Sequence, residues 1–164
     1  MEQRTHFEAA HSVAERFGDM VYRVALSYTH SRSDAEDIMQ EVFLRFIKYK
    51  PAFNDAEHEK AWFIKATTNA AKTFLTSPWR KRMILLPDDK IKKRSRENAL
   101  DDSPLAEALA KLCKKQRVCI HLFYYEGYSI SEIAGLTDAK EGTVKSWLHR
   151  ARENLKKELG NTYF

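Results

Sequence analysis

Cysteine, glycine and proline are all scarce in this chain, and each scarcity excludes something. Only two cysteines occur among the 164 residues, Cys113 and Cys119, six apart inside a helical, apolar pattern. They cannot make a disulfide framework, and no His or Cys pair supplies the rest of a zinc site. His6, His11, His30, His58 and His121 are scattered without ligand spacing, so no metal and no cofactor is expected. With five glycines and no Asn-Gly or Asp-Gly pair, hairpin signals are weak, and the dominant apolar period is helical. Four prolines serve as punctuation between helices. No apolar run approaches a membrane span and the N-terminus carries no signal-peptide core, so membrane insertion is not expected and a cytoplasmic location is. Carboxylates crowd at Asp34, Glu36, Asp37 and Glu41, but one helical turn of acids without a partner strand or His is poor geometry for a metal-dependent nuclease. An enzyme is not expected.

What is present is an all-α pattern in two lobes, residues 1–82 and 103–164, joined by a flexible basic linker at 83–102. In the first lobe, Val13, Phe17, Met20, Val21, Val24 and Tyr28 make one stripe. Ser33 with Glu36 has capping-box spacing and opens a second helix ending near Tyr49, with Ala35, Ile38, Val42 and Phe46 inward and Glu36, Asp37, Gln40 and Glu41 elsewhere. Pro51 breaks the pattern. A third helix begins near Glu59, carries Trp62, Phe63, Ala66, Ala70 and Phe74, and ends near Pro78. Residues 78–96 are dominated by Lys and Arg and lack a sustained apolar period, so an exposed linker is expected, with Arg80, Lys81 and Arg82 on phosphates. Each lobe alone is small for a large core and should be only modestly stable.

The second lobe opens at Ser103-Pro104, an N-cap followed by a first helical position. Its end reads SISEIAGLTDAKEGTVKSWLHRAR, residues 129–152. Ser129 with Glu132 makes a capping box, and Ile130, Ile133, Ala134 and Leu136 give an apolar stripe. Asp138 with Glu141 has the spacing to cap another helix, whose apolar positions are Val144, Trp147, Leu148, Ala151 and Leu155. Two amphipathic helices joined this tightly must bend as a helix-turn-helix. Lys145, Ser146, His149 and Arg150 cluster on the outer face of the second, with Lys140, Thr143 and Arg152 beside them. These side chains reach phosphates and base edges when a helix enters a major groove. The net charge of +5 is compatible with a nucleic-acid partner.

Three segments in this order, DAEDIMQEVFLRF, AWFIKATTNAAKTFL and the helix-turn-helix, resemble the extracytoplasmic-function sigma factors of bacterial RNA polymerase over residues 10–160. The resemblance implies a sigma-two-like and a sigma-four-like domain that bind core polymerase through the β′ clamp helices and the β flap. It also implies promoter DNA and an anti-sigma factor as partners. By the same resemblance Asp34, Glu36, Asp37, Gln40 and Glu41 match the clamp-docking segment, and residues 62–75 match the segment that recognises the minus-ten element, with Asn69 at the family's Asn position. Thr67 and Thr68 stand near places where the family often has Arg. Phe53 and Asn54 suit a pocket for an unstacked base, although Phe53 equally suits a core plug. Lys65, Lys72 and Thr73 would follow the strand, and Trp79 and residues 80–82 the backbone. Lys145, Ser146, His149 and Arg150 match the minus-thirty-five recognition positions, where Trp147 replaces a common Arg and suits packing. The competing reading is a helix-turn-helix regulator that acts on duplex DNA without docking on polymerase.

Overall fold

The computed structural model describes residues 2–78 and 103–160; the expected linker, Trp79 and the basic residues Arg80, Lys81 and Arg82 lie outside the described residues. Among the described residues every regular element is helical: α1 (Glu2–Thr29), α2 (Arg32–Tyr49), α3 (Ala56–Thr76), α4 (Pro104–Lys111), α5 (Lys114–Ile120), α6 (Ile130–Thr137) and α7 (Glu141–Leu159). A π-helical turn, His121–Tyr125, continues α5.

Helix ends follow local chemistry, with two changes from the sequence pattern. His30 adopts a left-handed conformation (φ 48°) that stops α1, so the chain restarts early. Ser31, not Ser33, caps α2, its Oγ accepting from the Asp34 amide at 3.3 Å. Asp34 therefore falls inside the first turn and is buried (7% exposed). α3 begins at Ala56, three residues before Glu59, because the Asp55 carboxylate accepts from the His58 amide at 2.7 Å. Ser103 and Pro104 open α4, and the Ser129–Glu132 capping box is reciprocal, at 3.1 and 2.8 Å. Asp138, by contrast, does not cap α7. It takes a left-handed conformation (φ 56°) that closes α6 by donating its amide to the Ala134 carbonyl, and Lys140 stands at the α7 N-cap without a side-chain hydrogen bond.

α1, α2 and α3 wrap around Phe63, which is fully buried. Its ring stacks on Phe17 with centroids 4.8 Å apart and meets Trp62, Phe46 and Phe43 at 4.9, 5.4 and 5.7 Å. In the second lobe Val144 and Leu148 of α7 lie in one buried cluster with Ile133, Ala134 and Leu136 of α6. A smaller cluster joins Ala108 and Leu112 to Ala151 and Leu155. Trp147 is half-buried, with the Lys115 ammonium 5.3 Å from its ring, in agreement with packing.

The lobes are not independent. The cluster that contains Val24, Ala25 and Phe63 also contains Val118, Cys119, Leu122 and Ile133, and α1 packs on α5 while α3 packs on α6. Around this shared core each lobe caps a helix of the other. Arg117 of α5 donates from Nε to the Ser27 carbonyl near the end of α1 (2.7 Å) and from Nη1 to the Leu112 carbonyl (3.0 Å). Lys65 and Lys72 of α3 donate to the last carbonyls of α6. Cations at helix C-termini contribute about 0.3–1 kcal/mol each at exposed sites. Lys60 of α3 meets Glu126 at 3.4 Å and donates to the Glu126 carbonyl at 3.3 Å. Burial pushes the Glu126 carboxyl up, but His121 and Lys60 outweigh it and hold the group below its ordinary value.

Phe63→Ala should lower stability by about 3–5 kcal/mol, because the ring is enclosed and neighbouring rings cannot collapse fully into the space. Urea unfolding followed by circular dichroism measures this, and a loss below ~1 kcal/mol would contradict the packing described.

Candidate nucleic-acid interface

The outer face of α7 is assembled as the sequence pattern implies. Val144, Leu148 and Ala151 are buried at helical spacing, which turns Lys145, Ser146, His149 and Arg150 to solvent. Lys140 is exposed at the N-cap and Thr143 is half-buried one turn on. Arg152 is engaged elsewhere. Its Nε donates to Tyr124 Oη at 2.6 Å, and its guanidinium lies 5.5 and 5.6 Å from the rings of Phe123 and Tyr124. The π-helical turn supplies both aromatics.

On α3, Lys65, Asn69, Lys72 and Thr73 recur at helical spacing and share one face. Asn69 and Thr73 are exposed. Lys65 Nζ donates to the carbonyls of Gly135 (3.1 Å) and Leu136 (3.4 Å) and to Asp138 Oδ1 (2.7 Å), and Lys72 Nζ donates to the Thr137 carbonyl (2.9 Å). The hydrogen bond from Lys65 holds the Asp138 carboxyl below the usual carboxylate range. Thr67 and Thr68 do not share the outer face: both are fully buried. Thr67 Oγ1 donates to the Phe63 carbonyl at 2.6 Å, and Tyr28 Oη donates to Thr68 Oγ1 at 3.3 Å. Burial pushes the Tyr28 phenol up to about 12, so it stays a neutral donor.

In the loop before α3, Phe53 is half-buried and meets the edges of His58 and Trp62 at 5.4 and 5.9 Å. That is packing, one of the two roles its type allowed. Asn54 is exposed beside it, its backbone N–H donating to His58 Nδ1 at 3.1 Å.

α2 carries a second kind of surface. Glu36, Asp37, Gln40 and Glu41 are exposed, whereas buried Asp34 is not part of that face. The acidic edge runs into exposed apolar groups that the sequence pattern left out: Leu44 (62% exposed), Ile47 and Tyr49 (66%). Glu41, Leu44, Arg45, Lys48 and Tyr49 line a shallow depression there, and Arg45 Nε donates to Glu41 at 2.9 Å. The available signal was that Leu44 and Ile47 stand off the Ala35, Ile38, Val42 and Phe46 stripe, so one helix has two apolar sides. Among the described residues no group of His, Cys, Asp and Glu could hold a metal ion, and no helix is long and apolar enough to cross a membrane.

Residues 13–81 match the family model Sigma-70 region 2, and residues 103–155 match Sigma-70, region 4. The chain is 31% identical over 140 residues to the RNA polymerase sigma factor SigV of Bacillus subtilis, covering 84% of this chain and 83% of that protein. It is 32% identical over 152 residues to the ECF RNA polymerase sigma factor SigL of Mycobacterium tuberculosis, covering 87% and 86%. In fold it is similar to the sigma factor RpoE of Bartonella quintana, solved in complex with the anti-sigma factor NepR, with a TM-score of 0.63 and 21% identity over 92% of this chain and 96% of that one.

The contrast between neighbouring arginines of α7 is testable. Arg152→Ala should lower stability by about 1 kcal/mol through the lost aromatic and hydroxyl contacts, with little change in duplex DNA affinity. Arg150→Ala should leave stability unchanged and weaken duplex binding by about 1–3 kcal/mol. Thermal unfolding and fluorescence anisotropy on the same preparations check both.

Proposed function

The chain belongs to the extracytoplasmic-function sigma factors of the sigma-70 family, and from that premise we propose that it joins core RNA polymerase and recognises promoter DNA with both lobes. In this reading it directs transcription initiation and does no chemistry of its own. The observation that carries the proposal is the coexistence of two unlike surfaces. A solvent-facing recognition helix bears Lys145, Ser146, His149 and Arg150, and a separate acidic and apolar face lies on α2. A regulator acting on duplex DNA alone needs only the first.

The second lobe, residues 103–164, takes the upstream element. α7 enters the major groove, Lys145, Ser146, His149 and Arg150 face the bases, and Lys140 and Thr143 stand at the phosphates. Arg152 contributes by fixing α7 against the π-helical turn. The first lobe, residues 1–82, takes the downstream element. Asn69 and Thr73 of α3, with Asn54, face a separated strand, and Lys65 and Lys72 supply charge for its phosphates. Phe53 supports the loop that presents Asn54. Arg80, Lys81 and Arg82 supply further positive charge for the phosphates.

Glu36, Asp37, Gln40 and Glu41 steer α2 onto the basic clamp helices of the β′ subunit, and Leu44, Ile47 and Tyr49 supply the apolar contact that charge alone does not give. The second lobe meets the β flap. The protein works in the cytoplasm, where its polymerase is. An anti-sigma factor fits the reading as a further partner, since the RpoE relative was solved in complex with one.

Asp37→Arg with Glu41→Arg should abolish co-elution with core polymerase in gel filtration while lowering thermal stability only slightly, through the lost exposed Glu41–Arg45 pair, because both side chains are exposed and their charges reverse. Undiminished co-elution would remove the assignment of α2 to the polymerase.

A further inference from the structure

The loop that joins α2 to α3 is organised by one side chain. His58, in the first turn of α3, meets three consecutive loop residues. Its ring stands edge-on to Phe53, with centroids 5.4 Å apart. Its Nδ1 accepts the Asn54 backbone N–H at 3.1 Å, and its own backbone N–H donates to the Asp55 carboxylate at 2.7 Å. Phe53 also rests against Trp62, at 5.9 Å, which ties the loop to the aromatic core. At the other end Lys50 takes a left-handed backbone (φ 44°) and donates its N–H to the Phe46 carbonyl at 2.9 Å. The connection is thus pinned on both sides of Asn54, whose exposed carboxamide has no hydrogen-bond partner among the described residues. A free carboxamide offers a donor and an acceptor together, which is what a base edge requires. The Asp55 cap uses only the backbone of His58, so α3 would start there whatever the side chain at this position. The ring nitrogen serves Asn54 alone.

We infer that His58 is a positioning residue for base reading: its unprotonated Nδ1 fixes the Asn54 backbone so that the carboxamide meets an unstacked base in one orientation. The inference deepens the assignment of Asn54 to the separated strand and rests on it. The donor is a backbone N–H, so Nδ1 carries a lone pair and the ring proton sits on Nε2. An imidazolium has no acceptor, so the bond exists only while the ring is neutral. Histidine side chains change charge between pH 5 and 8. Acid therefore releases the Asn54 backbone, and the carboxamide loses its fixed bearing. The charged groups of the surrounding elements are Asp55 and Glu57 beside His58, Glu59 held by Arg16 of α1 at 3.0 Å, Lys60 paired with Glu126 at 3.4 Å, and Lys50 at the end of α2, 3.0 Å from His6. Among the described residues none of them forms an ion pair with the His58 ring. The sign is opposite to the general one. Protonated histidines add positive charge and tighten nucleic-acid binding of every sequence, whereas base preference at this loop should fade as the pH falls.

The test uses the full chain and three labelled twenty-nucleotide single strands, oligo-dA, oligo-dC and oligo-dT, followed by fluorescence anisotropy. The parent should prefer one of the three by about two- to tenfold, the size one hydrogen bond supports, and Asn54→Ala should level them. His58→Leu keeps an apolar side chain against Phe53 but removes the acceptor, so it should level the three strands while binding persists and thermal unfolding stays cooperative. His58→Asn places Oδ1 where Nδ1 stood and should restore most of the preference. Between pH 8 and 5.5 the preference should erode in the parent and hold in His58→Asn. A preference untouched by His58→Leu overturns the inference. So does one lost equally in His58→Leu and His58→Asn, since ring packing rather than the acceptor would then matter, and so does one that survives acid in the parent. A parent without preference, or a preference that survives Asn54→Ala, removes Asn54 from the base and the inference with it. That failure is distinguishable because it shows in proteins where His58 is unchanged.

Discussion

A helix that ends inside a protein leaves carbonyls that need donors, and here the donors come from the opposite lobe. Arg117 answers the end of α1, and Lys65 and Lys72 answer the end of α6. The exchange fixes which helices lie side by side and in what register. The apolar contact beneath it is non-directional: Val24, Ala25, Val118 and Leu122 would tolerate a small slide of one lobe over the other, whereas three cations seated on named carbonyls would not. The same bonds are individually small, because each lysine also finds good solvation in water. A contact built this way is specific in geometry without being deep in energy.

Most of the secondary structure was legible because it is written in short-range spacing. Ser129 with Glu132 and Ser103 with Pro104 act at the positions their types imply. The misplacements are also local. Ser31 and Ser33 both offer a hydroxyl three residues before an acid, and only the left-handed turn at His30 decides between them. Asp138 has an N-cap residue type, but it also tolerates the left-handed backbone that ends α6, and that use came first. Thr67 and Thr68 look polar in sequence yet hydrogen-bond within the core, so their type concealed their direction. What could not be seen was any relation between the lobes. Lys65 and Asp138 are joined across a long stretch of chain, and neither period nor capping carries information over that distance. The Arg152–Tyr124 hydrogen bond was hidden for the same reason, since spacing along α7 carries no information about a partner 28 residues away.

The surface divides its chemistry by lobe. Acid and exposed apolar area lie together on α2, while the exposed basic residues of α7 stand on the other lobe. With a net charge of only +5, local segregation rather than total charge decides which partner each face attracts. Leu44 and Tyr49 belong to this division. A monomer has no folding reason to leave them open beside a row of carboxylates, and large exposed apolar groups rimmed by charge are the usual mark of a protein contact.

The π-helical turn at His121–Tyr125 carries one residue more than an α-helical path would need. Removing a single residue there would leave a continuous helix and a plausible sequence, yet everything beyond would rotate by about 100°. Tyr124 would no longer meet Arg152, and Tyr125 would leave the Arg23 guanidinium that now lies 4.7 Å from its ring. The turn therefore works as a phase setting between the two halves of the second lobe. Among homologous chains, a one-residue deletion at this point should be far rarer than substitution of any single side chain within it.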